Sequence, residues 1–131
     1  GRVMWGLNYR LATFERERAG TSTRYGLARR RGDGEGRLDW TPGPPIPQPE
    51  PGSLEHFLVE RYHLYSQRRG RIIRGRVDHP PWQLREARID SVDTGLLAAA
   101  GIGVEDDPIA FCSNGVRVAG FSPVDADRDE D

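Results

Sequence analysis

Four groups with chemical potential stand close together in the middle of this sequence: Glu55, Glu60, Arg61 and, after a gap, His79. A carboxyl held in apolar surroundings can serve as acid or base, and an imidazole titrates near neutrality. A guanidinium offers a planar fork to a carboxylate or phosphate. Glu55, Glu60 and His79 are therefore the candidate catalytic residues, and Arg61, Tyr62, Tyr65 and Trp82 the candidate ligand contacts. Each also has a plainer role. Glu60 and Arg61 can pair with strand residues, the tyrosines can hydrogen-bond to backbone, and His79 can satisfy groups left open by Pro80-Pro81.

His56, Glu60 and His63 fall at i, i+4 and i+7, one face of a helix, where a metal could be held. That face lies opposite the apolar stripe and carries no metal motif, so neither metal nor cofactor is assigned. Cys112 is the only cysteine; beside Phe111 it reads as a small core hydrophobe, and it excludes an internal disulfide. All 19 basic residues are arginine. With no lysine, the chain has no side-chain amine for Schiff-base chemistry.

The element that must position these groups begins at Pro51-Gly52-Ser53. Ser53 can cap a helix, and apolar residues recur at 54, 57, 58, 62 and 65, so the spacing predicts a helix over about 53–66. Leu54, Phe57, Leu58, Tyr62 and Tyr65 should then be buried against a sheet. Glu55 favours the helix start, and Arg68 and Arg69 would follow its end, with Gly70 as the stop.

The remainder reads as strands. Val3, Trp5, Leu7, Tyr9 and Leu11 alternate with polar or small residues, Ala19-Gly20-Thr21-Ser22 makes a turn, and residues 23–31 return as the second strand of a hairpin. Leu38 and Trp40 fit a short third strand. Residues 41–52 hold six prolines and two glycines and should run as an extended connector. Strands are expected over 71–78 and 82–90, the latter bulged near Glu86-Ala87, then a short helix over about 92–100 ending at Gly101. Asn114-Gly115, between Ile109–Ser113 and Val116–Phe121, gives a hairpin signal. The acidic residues 125–131 have the composition of a disordered tail.

The 131 residues, 36% hydrophobic and 30% charged, fit one small domain over residues 1–124. No apolar run is long enough to span a membrane, and the single cysteine suits a reducing, cytoplasmic setting. The net charge of −1 supplies no general attraction to nucleic acid. Arg68, Arg69, Arg71, Arg74 and Arg76 could grip phosphates, but strand alternation divides them between two faces.

Pro51-Gly52-Ser53-Leu54-Glu55 through Glu60-Arg61-Tyr62 and Leu64-Tyr65, then Gly75, His79-Pro80-Pro81-Trp82 and Leu84, closely resembles the signature of the YqjF-like family of uncharacterised conserved proteins. Gly6-Leu7-Asn8-Tyr9 resembles the family's opening strand, with Asn8 where a proline is usual. The resemblance runs to about residue 121 and corresponds to the C-terminal part of a typical member.

Membership of the acetoacetate decarboxylase-like superfamily, in which that family is placed, implies a mainly β (α+β) fold. This would be an antiparallel β-barrel or cone around a cavity, with the two helices packed outside. Decarboxylases of that superfamily use a lysine Schiff base, which no residue here can form. The expected function is binding, or transformation, of a small organic acid or similar metabolite in the cavity. The alternatives are a noncatalytic partner-binding or structural protein, and an arginine-rich nucleic-acid binder. A barrel lacking its early strands would also expose edges, which implies association with a second copy or with the N-terminal portion.

Overall fold

A computed structural model describes residues 9–126. Its elements, in chain order, are β1 (Ala12–Ala19), β2 (Ser22–Arg29), β3 (Glu35–Pro45), α1 (Leu54–Val59), β4 (His63–Arg68), β5 (Arg71–Asp78), β6 (Arg85–Asp93), α2 (Gly95–Ala98), β7 (Phe111–Cys112), β8 (Ala119–Gly120) and β9 (Val124–Asp125). The mainly β expectation holds. The strands form antiparallel sheets, one of them curled into half a barrel.

The chain divides into two compact units. Arg10–Ile46 with Leu84–Ser113 builds a five-stranded sheet in the order β1-β2-β3-β6-β7. Its hairpin turns at Gly20-Thr21, with Gly20 at φ 60, the left-handed value that glycine adopts without steric cost. That two-residue loop fixes the register, so Ala19 faces Ser22 and Ala12 faces Arg29. The first described strand is consequently Ala12–Ala19. The strand expected over Val3–Leu11 is not recovered at Tyr9 and Leu11, which precede β1, and Val3, Trp5 and Leu7 lie outside the described residues.

The register separates two faces. Phe14, Tyr25, Leu27, Leu38, Trp40 and Ile89 share one, where the Phe14 and Tyr25 rings lie 5.5 Å apart and those of Tyr25 and Trp40 6.0 Å. Thr13, Glu15, Arg24, Arg37, Asp39 and Ser91 share the other. At one end α2 packs on β3, with Leu96 against Gly34 and Gly36.

The third strand is 11 residues long, not short, and it takes in the prolines at 42, 44 and 45. A proline cannot donate to a ladder, so β3 is tolerated there through a register shift between Pro42 and Pro45. Arg85 Nε bridges the break by donating to the Gly43 carbonyl at 2.8 Å. A second shift leaves Asp90 as the extra residue of β6.

The other unit holds Pro47–Gln83 and the chain after Asn114. Here β4 and β5 form a hairpin, and β8 and β9 pair with β5. Ser53 caps α1 as expected, its hydroxyl accepting from the His56 amide at 3.1 Å. The helix ends at Val59, however, and not near 66. Six residues give too few helical bonds to persist against a competing strand, and residues 63–68 pair with 71–76 instead.

Gly70 therefore stops no helix. Arg69 and Gly70 are the two central residues of the β4–β5 turn, at φ 52 and 79. Two positive φ values in a two-residue loop suit Asn-Gly best, and the β-carbon of Arg69 is strained. Arg69→Asn is expected to stabilise this unit by about 0.5–1 kcal/mol. The check is a higher urea midpoint with an unchanged slope.

Three further expectations change. Leu54, Phe57, Leu58 and Tyr65 are exposed, Phe57 and Tyr65 by 58% and 60%, because the stripe loses its common face when the helix stops. The Asn114-Gly115 segment closes no hairpin: β7 pairs with β6, and β8 with β5. Asp125 belongs to β9 and binds Arg71 at 2.9 Å, so the acidic tail does not begin there, and 127–131 lie outside the described residues. Only Leu84, at 7% exposure, is a buried large hydrophobic among the described residues.

Candidate functional site

Two arrangements concentrate polar side chains, one in each unit. The first is the signature cluster, where the backbone leaves α1 at Glu60 and enters β4. Tyr62 Oη donates to Glu60 Oε2 at 2.6 Å, and Gln48 Nε2 donates to Oε1 at 3.0 Å. A backbone bond from Trp82 also reaches the Glu60 carboxylate. The Tyr62 hydroxyl first, against the opposing effect of burial, and then the Trp82 and Gln48 donors hold the Glu60 carboxyl below its usual range. The bond to Glu60 in turn pushes the Tyr62 phenol up.

His79 stacks on Tyr62 with ring centroids 4.6 Å apart, and Trp82 lies tilted against it at 5.3 Å. Its Nδ1 sits 3.0 Å from the Pro80 carbonyl oxygen and its Nε2 3.4 Å from that of Arg61. Both ring nitrogens thus face backbone acceptors, so the imidazole braces the corner at Pro80-Pro81.

Of the residues singled out from sequence, Glu60, Tyr62, His79 and Trp82 come together. Arg61 reaches the cluster by its carbonyl, while its guanidinium lies over the Phe57 ring at 3.7 Å. Glu55 is exposed on the first turn of α1, and Tyr65 is exposed on β4, 6.4 Å from the His63 ring. Gln48 was not anticipated; its only signal is an amide placed between Pro47 and Pro49. His56 lies on α1 and His63 on β4, and no group of three metal-ligating side chains occurs among the described residues.

The second arrangement lies on the polar face of the five-stranded sheet. Arg24 grips Asp39 with two bonds, at 2.8 and 3.2 Å, and the Ser91 hydroxyl donates to the same carboxylate at 2.9 Å. Ser22 and Thr41 share a hydrogen bond, and Thr41 donates to Asp90, which Arg88 also binds. Both aspartates titrate below the usual range, Asp39 through Arg24 first and Asp90 through Thr41 first.

Beside this network is a depression of about 550 Å³ whose wall includes Thr13, Glu15, Glu35, Arg37, Ser91 and Asp93. Gly26 and Ala28 leave it open by bringing little or no side chain. Arg24 forms a salt bridge with Asp39, and Arg37, which forms none among the described residues, acts on the same carboxylate only through its charge. The alternation was legible in sequence, but not the convergence of these positions across four strands. Cys112 is half-buried on β7; burial pushes its thiol up, and Sγ donates to the Glu86 carbonyl.

The DUF2071 family, described as an uncharacterized conserved protein, matches residues 1–117. The chain belongs to that family. Among relatives, the "Uncharacterized protein YqjF" of Bacillus subtilis (strain 168) is 30% identical over 112 residues, which is 82% of this chain and 46% of YqjF. This DUF2071 chain therefore spans about half the length of that relative. No solved structure matches it. Both polar arrangements fall inside the family match, since Gln48, Glu60, Tyr62, His79 and Trp82, like Arg24, Arg37, Asp39 and Ser91, lie before residue 117. Among the described residues no helix is long and apolar enough to cross a membrane.

Proposed function

We propose that this DUF2071 chain binds a small organic acid, and specifically a hydroxyl-bearing monocarboxylate, in the depression of the five-stranded sheet. The observation that carries this reading is Arg37, a guanidinium on the wall of a cavity of about 550 Å³ that forms no salt bridge among the described residues, although its charge helps to lower Asp39. An arginine fork accepts a carboxylate in two parallel bonds, and the Thr13 and Ser91 hydroxyls lie on the same wall. Glu15 and Glu35 accept bonds from ligand hydroxyls and repel a second or third carboxylate. The signature cluster is occupied by its own hydrogen bonds and serves to hold the α1–β4 corner.

A thermal-shift and calorimetric series with lactate, glycerate, gluconate and citrate tests the assignment. Stabilisation by the monocarboxylates is expected, weakened about tenfold or more in Arg37→Gln, as loss of a charge-assisted bond implies. Arg61→Ala should leave it unchanged. Loss of binding in Arg61→Ala instead would move the ligand to the signature corner, and absence of any response would overturn the reading.

A further inference from the structure

On the polar face of the five-stranded sheet, the register sets Glu15, Gly26, Arg37 and Asp93 in one row across β1, β2, β3 and β6. Arg37 has a glycine on one side and, on the other, an aspartate whose Oδ1 accepts from the Gly95 amide at 2.9 Å. Neither neighbour closes an ion pair with it, and Glu15 forms none among the described residues either. Glu15 Oε2 stands 3.9 Å from the place a β-carbon would take at Gly26, so the carboxylate lies beside open backbone. Two opposite charges thus flank a residue that puts no side chain between them. Their backbones are two strand spacings apart, about 9.5 Å, a gap that two long side chains and a small ligand fill.

The charges on the wall decide the charge of that ligand. Glu15, Glu35 and Asp93 stand against Arg37, a balance of two negative charges among the described lining residues. A plain monocarboxylate is drawn by Arg37 but repelled by three carboxylates. An ammonium on the carbon beside the ligand's carboxylate removes the conflict, because the ligand is then neutral overall and answers both signs. Its carboxylate takes the arginine fork, and its ammonium donates to Glu15 in a charge-assisted bond. Glu35, Thr13 and Ser91 remain on the same wall for the hydroxyl.

We infer that the hydroxyl-bearing monocarboxylate of this depression is a zwitterion, a hydroxy-amino acid whose carboxylate meets Arg37 and whose ammonium meets Glu15. This class rests on the reading of the depression as the acid site.

L-Serine and L-glycerate test it, since they differ only in carrying an ammonium or a hydroxyl on the carbon beside the carboxylate. Calorimetry on the parent chain should show L-serine bound about tenfold or more tighter than L-glycerate, and N-acetyl-L-serine, which lacks the ammonium, no tighter than L-glycerate. Glu15→Gln should erase the advantage of L-serine while leaving L-glycerate binding unweakened, whereas Arg37→Gln should weaken both. An unchanged melting temperature for unliganded Glu15→Gln separates a lost contact from a lost fold. L-Glycerate bound as tightly as L-serine, or an L-serine advantage that survives Glu15→Gln, would overturn the zwitterion and leave the acid site standing. Absence of binding by both acids would overturn the two together.

Discussion

Leu84→Ala is expected to destabilise the unit built on the five-stranded sheet by about 2–3 kcal/mol, the lower part of the range for a large-to-small change at a buried leucine. Leu84 is 7% exposed and is the one buried large hydrophobic among the described residues. It sits just before β6, where its carbonyl accepts from the Ile46 amide at 3.1 Å and so ties the entry of β6 to the end of β3. Losing its side chain removes transfer free energy and leaves a gap. Because few neighbours are themselves buried, the surroundings can close in, which keeps the cost below that in a dense interior. Urea unfolding followed by Trp40 fluorescence measures it. A change under about 0.5 kcal/mol would show that Leu84 is not the anchor of the sheet.

Glu60→Ala should have the next largest effect, about 1–2 kcal/mol, since it strands a half-buried tyrosine hydroxyl and removes the acceptor for Gln48 and Trp82. Glu60→Gln should cost less, because its carbonyl can still accept from Tyr62. The pH dependence has two signs. The Glu60 carboxyl is depressed by the Tyr62 hydroxyl, so its contribution is present above the ordinary carboxyl range and is lost as pH falls below that range through the folded value. The Tyr62 phenol is raised by Glu60, so its contribution is complete below about pH 10 and is lost as pH rises beyond that. In Tyr62→Phe both dependences should flatten. An acid limb as steep as in the parent chain would show that other carboxylates carry it.

Much of this was legible in local pattern. The Ser53 cap, the Gly20-Thr21 turn, the strands after it and the short helix before Gly101 all depend on neighbours a few residues away, and all are present. The signature residues placed the chain in its family, and four of the seven site candidates proved to share one corner. The errors have one origin. The stripe 54, 57, 58, 62 and 65 fits a helix, but residues 63–68 are claimed by 71–76 across Arg69-Gly70, a turn hidden by an arginine in the left-handed region. Asn114-Gly115 failed in the opposite way, carrying the best local hairpin signal while its flanks found partners on β6 and β5.

By itself, then, the sequence determined alternation, caps, turns and family, because a side chain's period and a turn's φ values are set within a few residues. Only the tertiary structure decided where α1 ends, which strands pair, and that Arg24, Arg37, Asp39 and Ser91 converge on one face while Gln48 reaches Glu60. Those outcomes rest on contacts between distant segments, in which ladder hydrogen bonds and charge-assisted pairs outweigh the small intrinsic preference of any one stretch.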